Sequence, residues 1–378
     1  MRPTRFALAL AVAALAGLAT AVLPARAADS QVLKIGAALS LTGPAALYGA
    51  QQKAGILAAV DELNRRQYVP GVKLVAVIED DASTKEQGIA VYQRLIAREK
   101  VAAIIGPTLS NTATAANPLA QGARVPVVAI SNTAPRGITD LGDFIWRVSL
   151  TEGQVIPGAL KRAQAKLGFK TAGVLYGNDD AFTKAGYDVM KSALADMGVK
   201  VVGTQTFAKP DRDFNAQLTA LLAQKPEILV VSALVENAAG IVAQARQLGW
   251  KGPILGGNGF NSAALIKNAG PAAEGVLVGT SWNRVSADAA NQEFLKLMAA
   301  RGHEPDQFCA QAYTGVLAIA EAARLAGGKT GREDVKGGLA QVKGLATPLG
   351  VFSFLPSRDG SHEPALQQVR GGKFEIAQ

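Results

Sequence analysis

The sequence predicts an α/β protein of two lobes, each built on a parallel sheet flanked by helices. Short apolar segments alternate with segments of helical length and pattern through the first 150 residues, and the alternation starts again near Thr171. Such alternation is typical of parallel strands joined by right-handed helical crossovers. With 378 residues, 49% of them hydrophobic, the chain is long enough for two lobes with cores of their own.

The first half of the chain contains the strands and helices of one alternating unit. Its first helix is clearly marked, because Ile56, Ala59, Val60 and Leu63 recur at helical spacing. The predicted strands are 32–39, 72–78, 101–105, 126–130 and 144–150, and the predicted helices are 45–66, 85–98 and one that starts near Ser110. The last of these strands has polar ends and is interpreted as a link to the second lobe.

The second half repeats the pattern and ends in an extended, glycine-rich segment. Its predicted strands are 171–176, 199–205, 227–232, 253–255 and 275–280; its predicted helices are 180–197, 214–223, 237–248, 289–301 and 307–326; residues 350–354 and 365–376 are predicted to be extended. This second unit is similar in size to the first, which is the reason for predicting two lobes.

The first 27 residues have the pattern of a secretory signal peptide. Arg2 and Arg5 precede the apolar residues 6–23, and Ala25-Arg26-Ala27 supplies the small residues that cleavage after Ala27 requires. An uncleaved membrane anchor is the alternative, since the apolar run approaches the length of a membrane span. We expect cleavage, because the run is rich in alanine and glycine. The protein is then exported.

Charge and cysteine content argue against a nucleic-acid-binding protein and against a fold held together by disulfides. Removing residues 1–27 takes away three arginines and no acid, so the formal net charge falls from +9 to +6. The remaining basic residues are scattered, so no nucleic-acid partner is expected. Cys309 is the only cysteine, which makes an intrachain disulfide impossible.

Hydroxyl-bearing residues follow three of the predicted strands in the first half. Ser40 and Thr42 form one cluster, residues 108–112 a second and residues 131–133 a third. The carboxyl ends of parallel strands are where such sheets bind ligands, and the second cluster also begins a helix, whose N-terminus favours anions. The alternative is that Ser110 only caps its helix. Three clusters at one edge favour a ligand site.

Motifs for catalysis, metals or cofactors are missing. The sequence has no G-x-S-x-G, H-E-x-x-H, C-x-x-C or strand-linked G-x-G-x-x-G, and His303 and His362 lie in polar, loop-like surroundings. Residues 327–330 (GGKT) are interpreted as a helix C-terminus and not as a phosphate loop. Asp80 and Asp81 are expected to brace loops. No metal, no cofactor and no enzymatic activity are predicted.

Seven segments together resemble one known family. They are IGAALSLTGPAALYG at 35–49, VIEDDASTKEQG at 77–88, AAIIGPTLSNT at 102–112, PVVAISNTAP at 126–135, FIWRVS at 144–149, AGVLYGNDDAF at 172–182 and AEGVLVGTSW at 273–282. Their order and spacing make the chain similar to type I periplasmic solute-binding proteins of the branched-chain amino acid ABC transporters, the leucine/isoleucine/valine-binding proteins.

The resemblance implies a two-lobed fold with a ligand in the cleft between the lobes. One lobe would comprise 28–146 plus 282–349 and the other 147–281 plus 350–378. Three hinge crossovers would lie near 144–149, 277–282 and 348–352. It also implies a periplasmic monomer that delivers an amino acid or organic acid to an inner-membrane ABC permease. A ligand-sensing module for a membrane receptor is the alternative role, since fold does not fix function.

The resemblance also implies roles for individual residues. Ser110 and Thr133 would bind a ligand carboxylate, and the carbonyl of Ser131 would accept from its ammonium. Apolar or aromatic walls would come from Tyr48, Phe182 and Phe308. Together with the strand-end cluster, the predicted ligand-binding residues are Tyr48, Thr108, Ser110, Asn111, Ser131, Thr133, Phe182, Leu234, Asn258 and Phe308.

Two positions differ from the family pattern. Asn258 lies where the amino-acid binders place an acid to pair with the ammonium, and Leu234 lies where they often have a tyrosine. An amide oxygen compensates a buried ammonium less well than a carboxylate does. Two ligand sets therefore stay open: hydrophobic amino acids, with the ammonium held by carbonyls and Asn258, or aromatic and keto acids without an ammonium.

Overall fold

The protein is described from a computed structural model, which covers residues 31–377. The predicted signal peptide and its cleavage site lie outside the described residues. Within residues 31–377, none of the helices combines the length and the apolar character that crossing a membrane requires.

The first five strands form one parallel sheet in the order β2-β1-β3-β4-β5. Central strands are apolar because helices cover both faces: Ala103 to Ile105 are all buried. The strands are β1 (Gln31–Leu39), β2 (Val72–Asp80), β3 (Ala103–Ile105), β4 (Val127–Ala129) and β5 (Ile145–Arg147), and the helices are α1 (Ala46–Arg65), α2 (Lys85–Gln93) and α3 (Ser110–Gly122). The helix predicted over 85–98 ends as α2, and one π-helical turn, Arg94–Arg98, continues it.

The next five strands lie parallel in a second sheet, in the order β10-β9-β8-β6-β7. They are β6 (Thr171–Gly177), β7 (Lys200–Phe207), β8 (Ile228–Ser232), β9 (Ile254–Gly256) and β10 (Leu277–Thr280), with helices α4 (Glu152–Leu167), α5 (Ala181–Asp196), α6 (Asn215–Ala223), α7 (Val235–Gln247) and α8 (Ala263–Ala269). Chain order and sheet order agree with the predicted alternation.

After β10 the chain returns to the first sheet. α9 (Ala289–Ala300), α10 (Gln307–Leu325) and α11 (Arg332–Leu339) precede a small antiparallel sheet of β11 (Leu345–Thr347), β12 (Gly350–Phe354) and β13 (Gly360–Ser361). α10 is buried along nearly its whole length and packs on α1. Phe294, Phe352 and Phe354 join the core that includes Ile35 and Trp146 of the first sheet.

The last two strands complete the second sheet and correct one expectation. β14 (Ala365–Arg370) pairs antiparallel with β10, and β15 (Lys373–Ile376) pairs antiparallel with β14. The second sheet is therefore parallel in its interior but carries an antiparallel hairpin at one edge, because the turn at Gly371-Gly372 is too short for a parallel crossover.

Three helices were not predicted: α4, α8 and α11. α4 begins with a capping box, in which the Thr151 hydroxyl accepts from the N–H of Gln154 and the Gln154 side chain accepts from the N–H of Thr151. By contrast, residues 327–330 follow the end of α10 as predicted, with positive φ at Gly327 and Gly328.

Candidate functional site

A narrow cavity lies where the carboxyl ends of strands from both sheets meet. The cavity brings together nine of the ten predicted residues and adds Leu109 and Gly259; it is lined by Tyr48, Thr108, Leu109, Ser110, Ser131, Thr133, Phe182, Leu234, Asn258, Gly259 and Phe308. None of these lining side chains carries a charge.

Ser110 and Thr133 offer donors to this cavity. Both residues are 3% exposed, and neither hydroxyl has a hydrogen-bond partner among the described residues. Ser110 is the first residue of α3, whose N-cap is Leu109 and has no side-chain cap. The alternative that Ser110 caps the helix is therefore wrong. An unpartnered buried hydroxyl such as that of Ser110, at the N-terminus of a helix, is able to donate to an anion.

Thr108 and Ser131 also line the cavity, but their hydroxyls are already bonded. The Thr108 hydroxyl donates to Gln52 Oε1 at 2.6 Å and accepts from the N–H of Ser40 at 2.9 Å. Ser131 Oγ accepts from Gln52 Nε2 and donates to the Thr108 carbonyl, both at 2.7 Å. Gln52, which is fully buried and was not predicted, thus holds the two strand ends together.

Aromatic and aliphatic side chains form the apolar walls. The rings of Tyr48 and Phe308 lie 4.2 Å apart between centroids, and Phe182 and Leu234 face the cavity from the second sheet's connections. The Tyr48 hydroxyl donates to the carbonyl of Gly259 at 3.0 Å and accepts from the N–H of Val235. Tyr48 therefore joins α1 to two segments that follow strands of the second sheet.

Gly259 was missed by sequence reasoning, although its position in the GGNG segment is a signal. A Cβ at this residue would lie 2.3 Å from the carbonyl oxygen of Ala233 and 3.0 Å from the Phe182 ring. Such contacts cannot form without displacing backbone. Glycine is thus required here because two backbone segments approach closely.

Asn111, one of the predicted ligand-binding residues, does not line the cavity. Its Nδ2 donates to Asp180 Oδ2 at 2.9 Å, and its Oδ1 accepts from the N–H of Ala181 at 3.0 Å. Asp180 also pairs with Lys209 at 3.1 Å. α3 belongs to the first sheet and α5 to the second, so Asn111 is a clasp between the two parts of the protein. An amide one position after Ser110 turns away from the cavity because helical neighbours point in different directions.

Asn258 lines the cavity, and its amide oxygen already accepts from two neighbouring side chains. The N–H of Ser281 donates to Gln307 Oε1 at 2.7 Å, which fixes the orientation of the Gln307 amide. Gln307 Nε2 then donates to Asn258 Oδ1 at 3.0 Å, which also accepts from Ser281 Oγ at 2.7 Å. Asn258 Nδ2 must therefore be the donor to Glu152 Oε1, at 2.8 Å.

Glu152, the first residue of α4, is a buried acid that sequence reasoning missed. It is 1% exposed, and burial raises its pKa to about 7, against the lowering effects of the Asn258 amide and of the nearby Thr133 hydroxyl. That hydroxyl lies close to Glu152 but makes no well-directed hydrogen bond. The capping box around Thr151 was the available signal, since it places Glu152 in the first turn of a helix.

The other polar candidates lie outside the cavity lining. Asp80 accepts from the N–H groups of Leu41 and Thr42, so it braces a loop as expected. His362 lies in the loop between β13 and β14, as predicted, but its ring nitrogens are buried, and burial lowers its pKa to about 4. Over residues 31–377, no group of three or more His, Cys, Asp or Glu residues is placed to hold a metal ion.

Comparison with known proteins places the chain among binding proteins. The model of the family described as "Periplasmic binding protein" matches residues 32–373. A leucine-, isoleucine-, valine-, threonine- and alanine-binding protein from Pseudomonas aeruginosa is 28% identical over 79% of each chain.

Two solved structures have closely similar folds. A branched-chain amino acid transporter substrate binding protein from Streptococcus pneumoniae, in complex with isoleucine, is 27% identical with a TM-score of 0.85. A leucine binding protein from Thermotoga maritima is 26% identical with a TM-score of 0.84. Each similarity covers 92% of this chain and 98% of the other.

Proposed function

The chain belongs to the periplasmic binding protein family, and from this we propose that it captures a small ligand bearing a carboxylate and an apolar body for an ABC importer. Family members are solute-binding proteins and not enzymes. The relatives named above bind leucine, isoleucine and other small amino acids, which supports a ligand of this size.

The observation that carries the proposal is the pair of unpartnered hydroxyls of Ser110 and Thr133. A buried donor without an acceptor costs about 1–3 kcal/mol. A ligand carboxylate would accept from both hydroxyls and lie at the N-terminus of α3, where the helix dipole favours negative charge. The rings of Tyr48, Phe182 and Phe308 would cover its apolar body.

Whether the ligand also carries an ammonium divides the proposal in two. The names of the relatives favour hydrophobic amino acids. A carboxylate without an ammonium is the second candidate, favoured by the hydrogen-bonded amide of Asn258 and by the absence of an acid among the lining side chains. A ligand ammonium at this wall would meet an Asn258 oxygen that already accepts two hydrogen bonds.

Calorimetry with matched ligands tests both candidates. The affinity for phenylalanine would be compared with that for its 2-keto acid, and the affinity for leucine with that for the 2-keto acid of leucine. A site built for an amino acid should lose about 2 kcal/mol or more when the ammonium is removed, since its acceptors are left unpaired. A keto acid that binds as tightly as its amino acid would select the second candidate. Failure of all four ligands and of benzoate, with the protein folded, would contradict the carboxylate proposal.

We further propose a periplasmic monomer of two lobes, exported with cleavage near Ala27 and docking on an inner-membrane permease. The two sheets support the lobes, and the packing of Phe352 and Phe354 with Trp146 suggests that residues 350–361 accompany the first lobe. Light scattering would measure the molar mass and so test the monomeric state. N-terminal sequencing of the exported protein would test cleavage near Ala27. Cross-linking would test the contact with the permease. A neighbouring receptor kinase gene in place of permease genes would favour sensing.

A further inference from the structure

Glu152 is a buried acid directly behind the cavity wall. Its side chain accepts from Asn258, and its backbone N–H donates to the carbonyl of Thr133 at 3.3 Å; both partners line the cavity. Its second oxygen, Oε2, lies against the backbone of Gly257, where an added Cβ would come within 2.4 Å. A buried carboxylate in such a place needs compensation from its surroundings.

Charged groups on the neighbouring elements do not supply that compensation. Arg147, beside the Thr133 loop, pairs with Asp359. Asp180 pairs with Lys209 at the start of α5. The pKa of Glu152 is set by burial and by hydrogen bonds, with no contribution from a cation among the described residues. Asp306 at the start of α10 is another buried acid, and it accepts from Ser262 Oγ at 2.9 Å.

We propose that Glu152 reads the charge of the ligand: a carboxylate without an ammonium binds together with a proton on Glu152, whereas a ligand with an ammonium leaves Glu152 ionised. This inference rests on the proposed function. It follows because Thr133 is one of the two proposed carboxylate donors and contacts Glu152. Two carboxylates on either side of one residue repel each other strongly in a buried site.

The hydrogen bond from Asn258 does not depend on the charge of Glu152. Glu152 Oε1 accepts from Asn258 Nδ2, and the backbone N–H of Ser281 fixes that direction through Gln307. Oε1 keeps this donor when a proton from solvent makes the carboxyl neutral. A ligand ammonium would instead compensate the ionised carboxylate across the wall, and no proton would be taken up.

The sign of the pH dependence follows from the free protein. Its Glu152 has a pKa of about 7, and a bound carboxylate raises that pKa further. Affinity for benzoate, an aromatic carboxylate without an ammonium, should then be greatest below pH 7 and fall about tenfold between pH 6 and pH 8. Affinity for leucine should not fall in this way.

Calorimetry of benzoate binding in buffers with different ionisation enthalpies counts the protons. We expect the wild type to take up roughly three quarters of a proton per benzoate at pH 7.5, the ionised fraction of a group with a pKa near 7. Glu152→Gln keeps an acceptor for Asn258 but has no proton to gain, so uptake should vanish and affinity should become independent of pH. Asp306→Asn is the matched control, since burial raises the pKa of Asp306 to about 7 as well, and this variant should keep the uptake.

The outcomes separate the two proposals. Benzoate binding without proton uptake by the wild type, or with uptake that persists in Glu152→Gln, would overturn the role of Glu152 and leave the carboxylate site intact. If proton uptake is lost in Asp306→Asn and kept in Glu152→Gln, the proton belongs to Asp306, which also overturns the role of Glu152. Absence of binding by both benzoate and leucine at pH 6 would overturn the proposed function and this inference with it.

Discussion

The two walls of the cavity differ in whether they keep hydroxyls without hydrogen-bond partners. On the wall from the first sheet, Ser110 and Thr133 keep hydroxyls without partners. On the wall from the second sheet, the side-chain amide of Asn258 is hydrogen-bonded to Glu152, Ser281 and Gln307. Both walls are almost completely buried. The difference is therefore not exposure but whether the protein supplies the hydrogen-bond partners itself.

This contrast indicates that one wall contributes to stability and the other to ligand binding. Polar groups that the protein has already paired hold the fold together, and polar groups left unpaired are available to a ligand. We therefore expect substitution of Asn258 to change stability and substitution of Ser110 or Thr133 to change affinity. The clasp formed by Asn111 belongs to neither wall and should affect how tightly the two parts close.

The largest effect is expected for Asn258→Leu. Leucine has a similar volume but leaves Glu152, Ser281 Oγ and Gln307 Nε2 without partners in a buried place. Each unpaired group costs about 1–3 kcal/mol, so the free energy of unfolding should fall by about 3 kcal/mol or more, measured by urea denaturation. A fully stable Asn258→Leu protein would show that this network does not hold the second wall.

A smaller and different effect is expected for Ser110→Ala. Loss of one charge-assisted hydrogen bond should weaken carboxylate binding by about 1–3 kcal/mol in calorimetry, with little change in the free energy of unfolding. Thr114→Ala is the matched control, because Thr114 lies on the same helix and its hydroxyl donates to the carbonyl of Ser110. If Ser110→Ala binds like the wild type, the first wall does not hold the carboxylate.

The smallest effect is expected for Asn111→Ala, which removes the clasp to Asp180 and Ala181. A ligand held by both parts of the protein binds the closed form better, so losing the clasp should weaken affinity by about 1 kcal/mol, roughly fivefold. X-ray scattering should show a larger radius of gyration for the unliganded variant than for the wild type. Equal radii, with and without ligand and in both proteins, would argue against hinge closure.

Much of the fold could be predicted because its signals are local. Apolar runs such as that before Gly106, and the helical spacing that includes Ile56 and Leu63, depend on residues a few positions apart. α4 escaped because its pattern is interrupted by Gly153, Pro157 and Gly158, although its capping box was present. The antiparallel edge hairpin escaped for another reason: its pairing with β10 joins residues about 90 positions apart.

The candidate site was predictable in its membership and not in its bonding. Nine predicted residues meet at one cavity. The hydroxyl clusters were expected there because the ends of parallel strands converge, whereas Tyr48, Phe182, Leu234, Asn258 and Phe308 came from the family resemblance. The state of each side chain depends on partners distant in sequence: Asn258 bonds to Glu152 across 106 positions, and Thr108 bonds to Gln52 across 56. Sequence pattern alone could not distinguish a free hydroxyl from a bonded one.

The cavity draws its lining from segments that extend from Tyr48 to Phe308, across both sheets and the returning helix α10. A partly synthesised or truncated chain that lacks α10 therefore has no complete site. If the site forms only after the folding transition state, a bound ligand should slow unfolding and leave the rate of folding almost unchanged, which stopped-flow measurements with and without ligand would show. The rate at which bound ligand is released on denaturation would then report the rate at which the whole chain unfolds.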